Sequence, residues 1–162
     1  MLKLRRAKDA DIVPINRIYN RATVKTLATL DTVPRGLEYR RKWLREHGRK
    51  YPVLVAELDG RTVGYAALNK WSHKLGYAYT VELSLYIDEK FQGRGIGRKL
   101  LAAILKEGKK AGFHVIASRI VKGSDISVHL HDELGFEKVG VMRQAGRKFG
   151  KWLDSLIYQK IV

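Results

Sequence analysis

The chain has 162 residues, 45% of them hydrophobic, with 32 Lys and Arg against 16 Asp and Glu for a formal net charge of +16. That length and apolar content suit one compact domain, residues 1–162, with a core of its own and little room for a second. The absence of cysteine excludes disulfides, thiolate metal sites and a cysteine acyl-enzyme.

No segment approaches the roughly 20 apolar residues of a membrane span. The opening residues, MLKLRRAKDADIVPI, alternate apolar and basic positions without the continuous apolar stretch of a signal peptide, so a soluble cytoplasmic protein is expected. The positive excess draws polyanions non-specifically. Its basic residues are scattered and not gathered in one stripe with interleaved aromatics, which reads as a solvated basic surface before it reads as a nucleic-acid interface.

In chain order, Leu2 to Arg6 alternates as an opening strand, and Asp9 or Asp11 is placed to cap a helix carrying Ile12, Ile15, Ile18 and Tyr19. Thr26 to Pro34 reads as an irregular connection, followed by a basic helix with Leu37, Arg41 and Leu44 on one side. Pro52 to Leu58 and Thr62 to Leu68, joined through Asp59-Gly60-Arg61, form a hairpin, because Asp-Gly favours a tight turn. Tyr77 to Ile87 is a third strand. A helix over Gly97 to Ala111 turns Ile96, Leu100, Leu101, Ile104 and Leu105 inward, and His114 to Ile120 is a buried strand. A helix over Ser124 to Leu134 and two closing strands from Phe136 and Trp152 complete an α/β or α+β order with a mixed sheet.

The segment Glu82 to Leu101, ELSLYIDEKFQGRGIGRKLL, joins a strand, a glycine-rich basic turn and a helix. Glycines at 93, 95 and 97 leave successive backbone N–H groups free to converge on a phosphate at the helix start. No Gly-Lys-Ser/Thr closes the turn, and the glycine spacing is not that of the dinucleotide fingerprint. A phosphorylated ligand is expected, but neither a nucleoside triphosphate nor NAD. Upstream, Glu82 interrupts an otherwise apolar and aromatic strand, where burial would raise its pKa toward that of a useful general base. The alternative for Glu82 is a solvent-facing residue or a structural ion pair. His129 and His131, two apart on a helix, point to different faces, so no metal site is expected.

Gln92, Gly95 and Gly97 within Gln92-Gly93-Arg94-Gly95-Ile96-Gly97, followed downstream by Ser127-Val-His-Leu-His131-Asp-Glu-Leu-Gly135-Phe136, resemble the acetyl-CoA pyrophosphate loop and penultimate helix of the GNAT superfamily of N-acetyltransferases. With Ile18-Tyr-Asn20, Leu30-Asp-Thr32, Tyr77-x-x-Thr80-Val81-Glu82 and Gly146-x-Lys148-x-Gly150-x-Trp152-x-Asp154, nearly the whole chain is similar to the phosphinothricin and methionine sulfone acetyltransferase branch.

The resemblance implies a GNAT fold: a central mixed, mostly antiparallel sheet flanked by helices and splayed between the fourth and fifth strands. It implies transfer of an acetyl group from acetyl-CoA to the amino group of a small amino-acid-like substrate, without a metal. Glu82 would be the catalytic base. His131 would be an acid or share the base role. Acetyl-CoA would lie on the main chain of Leu85, Tyr86 and Ile87, on Gln92, Gly93, Arg94, Gly95, Ile96, Gly97 and Arg98 at the pyrophosphate, and on Ser124 and Ser127. Ser124 stands where the resemblance has Asn, and Lys74 where it has Arg. Thr29, Asp31, Thr32, Lys74, Tyr77 and Lys148 would line the acceptor pocket, and a homodimer would form through the C-terminal region. Acetylation of a protein N-terminus or lysine is the enzymatic alternative, and a non-catalytic nucleic-acid-binding module the other.

Overall fold

A computed structural model describes residues 1–162. The elements are β1 (Leu2–Arg6), α1 (Ile12–Lys25), α2 (Leu37–His47), β2 (Val53–Leu58), β3 (Arg61–Lys70), β4 (Thr80–Ile87), α3 (Ile96–Lys110), β5 (Val115–Val121), α4 (Asp125–Glu133), β6 (Glu137–Lys148) and β7 (Lys151–Ile161). The strands form one sheet in the order β1-β2-β3-β4-β5-β7-β6, antiparallel everywhere except between β4 and β5. No helix is long and apolar enough to cross a membrane.

The β2–β3 hairpin turns at Asp59 and Gly60, both with positive φ, the left-handed pair that a tight hairpin turn requires. On one face of the sheet, Val81 and Leu83 of β4 and Ile116 and Ile120 of β5 pack with Leu100, Leu101 and Ile104 of α3 in the main core. Strand alternation therefore sends Glu82, Ser84 and Tyr86 to the opposite face. There Tyr65 and Val55 pack under Ile15 and Ile18 of α1.

Three local expectations are corrected. Asp11 precedes α1 but makes no side-chain cap; its buried carboxylate takes both terminal nitrogens of Arg5, the Thr62 hydroxyl and the Lys8 N–H, clamping β1 to β3. In α2 the inward residues are Arg40 and His47, with Trp43 between them, and not Leu37, Arg41 and Leu44. Arg40 tolerates burial because its guanidinium lies 4.6 Å from the Tyr19 ring and 4.7 Å from the Trp43 ring, faces that attract a cation. Finally, Leu75–Tyr77 is a 3-10 turn, and β4 begins only at Thr80.

Candidate active site

The sheet opens in the middle. Strands β4 and β5 pair only through Thr80–Val115, Val81–Ile116 and Glu82–Ala117. Beyond Glu82, β4 continues to Ile87 bonded to β3 on one side alone, while β5 continues to Val121 bonded to β7. The main chain of Leu85, Tyr86 and Ile87 thus presents an unpaired strand edge to a widening gap, the arrangement to which an extended amide-bearing ligand adds like another strand.

At the wide end of this gap stands the glycine turn. Gly93 and Gly95 both have φ +72°, and no atom lies within 4 Å of where their Cβ atoms would be, so the turn is open toward solvent. Gly95 is the left-handed residue that starts α3, leaving the N–H groups of Ile96, Gly97 and Arg98 in its first turn, where helices bind phosphate. Gln92 donates to the Ile87 carbonyl at 3.2 Å, pinning the turn to the end of β4. Arg94 donates to the Lys90 carbonyl and lies over Phe91, and Arg98 pairs with Glu133 at 2.7 Å. A Cβ added to Gly97 would just reach Leu130, Ile87 and Leu85 at 3.6 to 3.9 Å, so α4 closes on the same end of the gap.

Glu82 occupies the last paired position before the strands part. Its environment is not the apolar one expected from the sequence. Arg119 of β5 grips the carboxylate with two nitrogens, Nε to Oε1 at 2.6 Å and Nη2 to Oε2 at 2.7 Å. That hydrogen bonding raises the Arg119 pKa further. Asn69, opposite Glu82 on β3, donates to the Glu82 carbonyl and to Ser84 Oγ, fixing the strand beneath the pair.

His131 lies on the other face, against Phe136 and Tyr158. Its Nδ1 is 2.7 Å from the Ser127 carbonyl, which can only accept, so Nδ1 carries the proton and Nε2 the lone pair. That Nε2 is buried with no protein partner. Burial lowers the His131 pKa and outweighs the opposing Ser127 bond. The neutral ring is therefore a proton acceptor first. Ser124 precedes α4 without a side-chain capping bond.

A third group forms on the Glu82 face, on the loop between α1 and α2. Tyr19 donates to Asp31, Arg35 pairs with Asp31 at 3.3 Å, and Lys148 donates to the Thr29 carbonyl at 2.7 Å. Burial and the bond to Asp31 push the Tyr19 pKa up to about 12. Burial alone would raise the Asp31 pKa, but the bonds from Tyr19 and Arg35 prevail and lower it. Burial lowers the Lys148 pKa against the pull of Asp31. The neighbouring Tyr86 ring meets Tyr19 edge-on at 5.3 Å. Thr29, Asp31 and Lys148 are thus together; Thr32 is exposed on the same loop, while Lys74 and Tyr77 sit in the separate turn before β4.

Arg119 escaped the reading of the sequence, and Tyr19 entered it only as a helix residue and within Ile18-Tyr-Asn20, without a role. Arg119 carried the signal that singled out Glu82, a charge interrupting an apolar strand, in Val-Ile-Ala-Ser-Arg-Ile-Val.

Residues 4–157 match the family described as the acetyltransferase (GNAT) domain. The L-methionine sulfoximine/L-methionine sulfone acetyltransferase of Salmonella typhimurium is 39% identical over 98% of this chain and 93% of its own length. An acetyltransferase of Salmonella typhimurium solved with its cofactor acetyl-CoA superposes with a TM-score of 0.97 at 37% identity, over 99% of this chain and 94% of that one. The ribosomal-protein-alanine N-acetyltransferase of Brucella melitensis gives 0.96 at 40% identity, over 99% of both chains. The splayed β4–β5 pair, the glycine turn at its mouth and likeness over nearly the full length agree, and the chain belongs to the GNAT family of N-acetyltransferases.

Proposed function

We propose that the chain transfers the acetyl group of acetyl-CoA to the amino group of a small amino-acid-like acceptor, of the methionine sulfoximine, methionine sulfone or phosphinothricin type. The observation that carries this is the placement of the Glu82 carboxylate at the point where β4 and β5 part. The unpaired edge at Leu85 to Ile87 and the open turn at Gly93 and Gly95 fit the pantetheine arm and pyrophosphate, with Ser124 and Ser127 beside the arm.

Acetyl-CoA supplies an activated thioester, so the protein's own work is to position the partners and move protons. Glu82 faces the side of the sheet that also carries Thr29, Asp31 and Lys148, and takes the proton of the acceptor ammonium directly or through water. A main-chain N–H of the free β4 edge serves as donor to the thioester oxygen. After attack the nitrogen carries one proton too many; His131, with a bare Nε2, takes that second proton and passes it to the departing thiolate, which leaves as the thiol. Thr32, Lys74 and Tyr77 complete the rim of the acceptor pocket.

The reaction draws on the acetyl-CoA of the cytoplasm. The chain forms a homodimer through β6 and β7, where Val139, Val141 and Met142 are exposed on the edge strand β6, Phe149 in the turn after it and Trp152 at the start of β7. Light scattering on the eluted protein tests the dimer, and a monomer at micromolar concentration refutes it.

The Brucella likeness supports a second reading, acetylation of a protein N-terminus. Thiol release from acetyl-CoA, measured with free amino acids, their analogues and N-terminal peptides, separates the two. Turnover of free amino acids but not peptides is the expected result; turnover of peptides alone overturns it.

A further inference from the structure

The Glu82–Arg119 pair leaves half of the guanidinium unused. Nε and one N–H of Nη2 hold Glu82, and no protein acceptor takes Nη1. The Arg119 side chain is 56% exposed where that of Glu82 is 20% exposed, so the free edge faces solvent on the acceptor side. A guanidinium has five donors in a rigid fork, and the Nη1–Nη2 edge has the spacing of a carboxylate. Trp71 lies beside it, 5.9 Å from ring centroid to guanidinium carbon, a contact that limits its swing. The strand neighbours of Glu82 on this face, Asn69 and Ser84, are neutral and bonded to each other, and the strand partner of Arg119 is Ile157.

We propose that Arg119 binds the α-carboxylate of the acceptor and so selects amino acids over plain amines. The inference rests on the reading of Glu82 as the base. An α-amino acid carries its ammonium and carboxylate on one carbon, and Glu82 and Arg119 present the complementary pair of charges side by side. Seating the carboxylate on the outer edge of the fork brings the ammonium against Glu82, without Arg119 having to release the base. An amine lacking the carboxylate loses this second charged contact and is held less firmly against Glu82. Arg119 also lies on β5, the far side of the gap from Glu82, so the acceptor bridges the two separated strands.

The test compares L-methionine sulfone with its carboxamide, which keeps the amine and side chain and loses only the negative charge. In the wild type, kcat/KM favours the acid. In Arg119→Gln that preference falls at least about tenfold, the discrimination expected of one bidentate charge-assisted pair, with most of the change in KM. Arg119→Lys, which keeps the charge and loses the fork, retains part of it. Calorimetry of the two probes in the presence of CoA reads the same ratio without turnover, should Arg119→Gln be inactive. An unchanged ratio in Arg119→Gln by either readout overturns the assignment of Arg119 alone. Failure of the wild type to acetylate any free amino acid overturns the proposed function and this inference with it.

Discussion

Lys148 at the end of β6 donates to the carbonyl of Thr29 at 2.7 Å, joining residues 119 apart in sequence. On the same seam Leu30 occupies the space beside Gly146, where an added Cβ would fall 2.5 Å from it. The C-terminal hairpin thus sets the position of the loop that carries Thr29 and Asp31. Lys148→Met removes the ammonium but keeps the bulk, so the loop loses its anchor while the glycine turn is untouched. The KM for the acceptor should rise several-fold, with acetyl-CoA affinity unchanged. Equal loss of both affinities would mean that Lys148 supports the fold at large.

Gly95 holds φ +72° at the start of α3, a conformation that costs an L-residue roughly 1–2 kcal/mol. Gly95→Glu adds that strain and places a negative side chain where the phosphates would bind. Acetyl-CoA should no longer raise the melting temperature of this variant, although the fold survives because no atom crowds the site. A normal ligand-induced shift would remove the pyrophosphate from this turn.

Two buried imidazoles give the stability a pH dependence. Burial lowers the pKa of His47 more than its bonds to Trp43 and Asn69 raise it, and burial likewise lowers that of His131. Above the unfolded value of 6.5 both states are neutral and their contribution is complete. As pH falls below it, the unfolded chain takes up protons that the folded rings refuse, and stability drops. The melting temperature should fall from about pH 7.5 to about pH 5.5, and His47→Gln should fall less steeply. Parallel slopes would show that His47 titrates alike in both states.

The sequence was most legible where function imposes a local rule. Asp59-Gly60 declared its hairpin, and the Gly93 to Gly97 segment its left-handed turn, because both depend on backbone conformations that few residues adopt. Glu82 was visible because a carboxylate in an apolar strand is unusual, but its partner was not, since β4 and β5 meet only after a helix has crossed between them. Arg40 was passed over for a different reason. Polarity patterns assign arginine to solvent, whereas here two aromatic faces replace water around it. The anchoring of Thr29 by Lys148 belongs to tertiary structure alone; resemblance named both residues, and only the fold joins them.

The most direct test sets Glu82→Gln beside the wild type, measuring thiol release with L-methionine sulfone and acetyl-CoA affinity by calorimetry. The amide keeps the size of the carboxylate and one hydrogen-bond acceptor for Arg119 but no longer takes a proton. Turnover should fall by about 10²-fold or more, the usual contribution of a general base, while acetyl-CoA affinity stays the same. Turnover equal to the wild type would contradict the role of Glu82 and, with it, the mechanism built on the parting of β4 and β5.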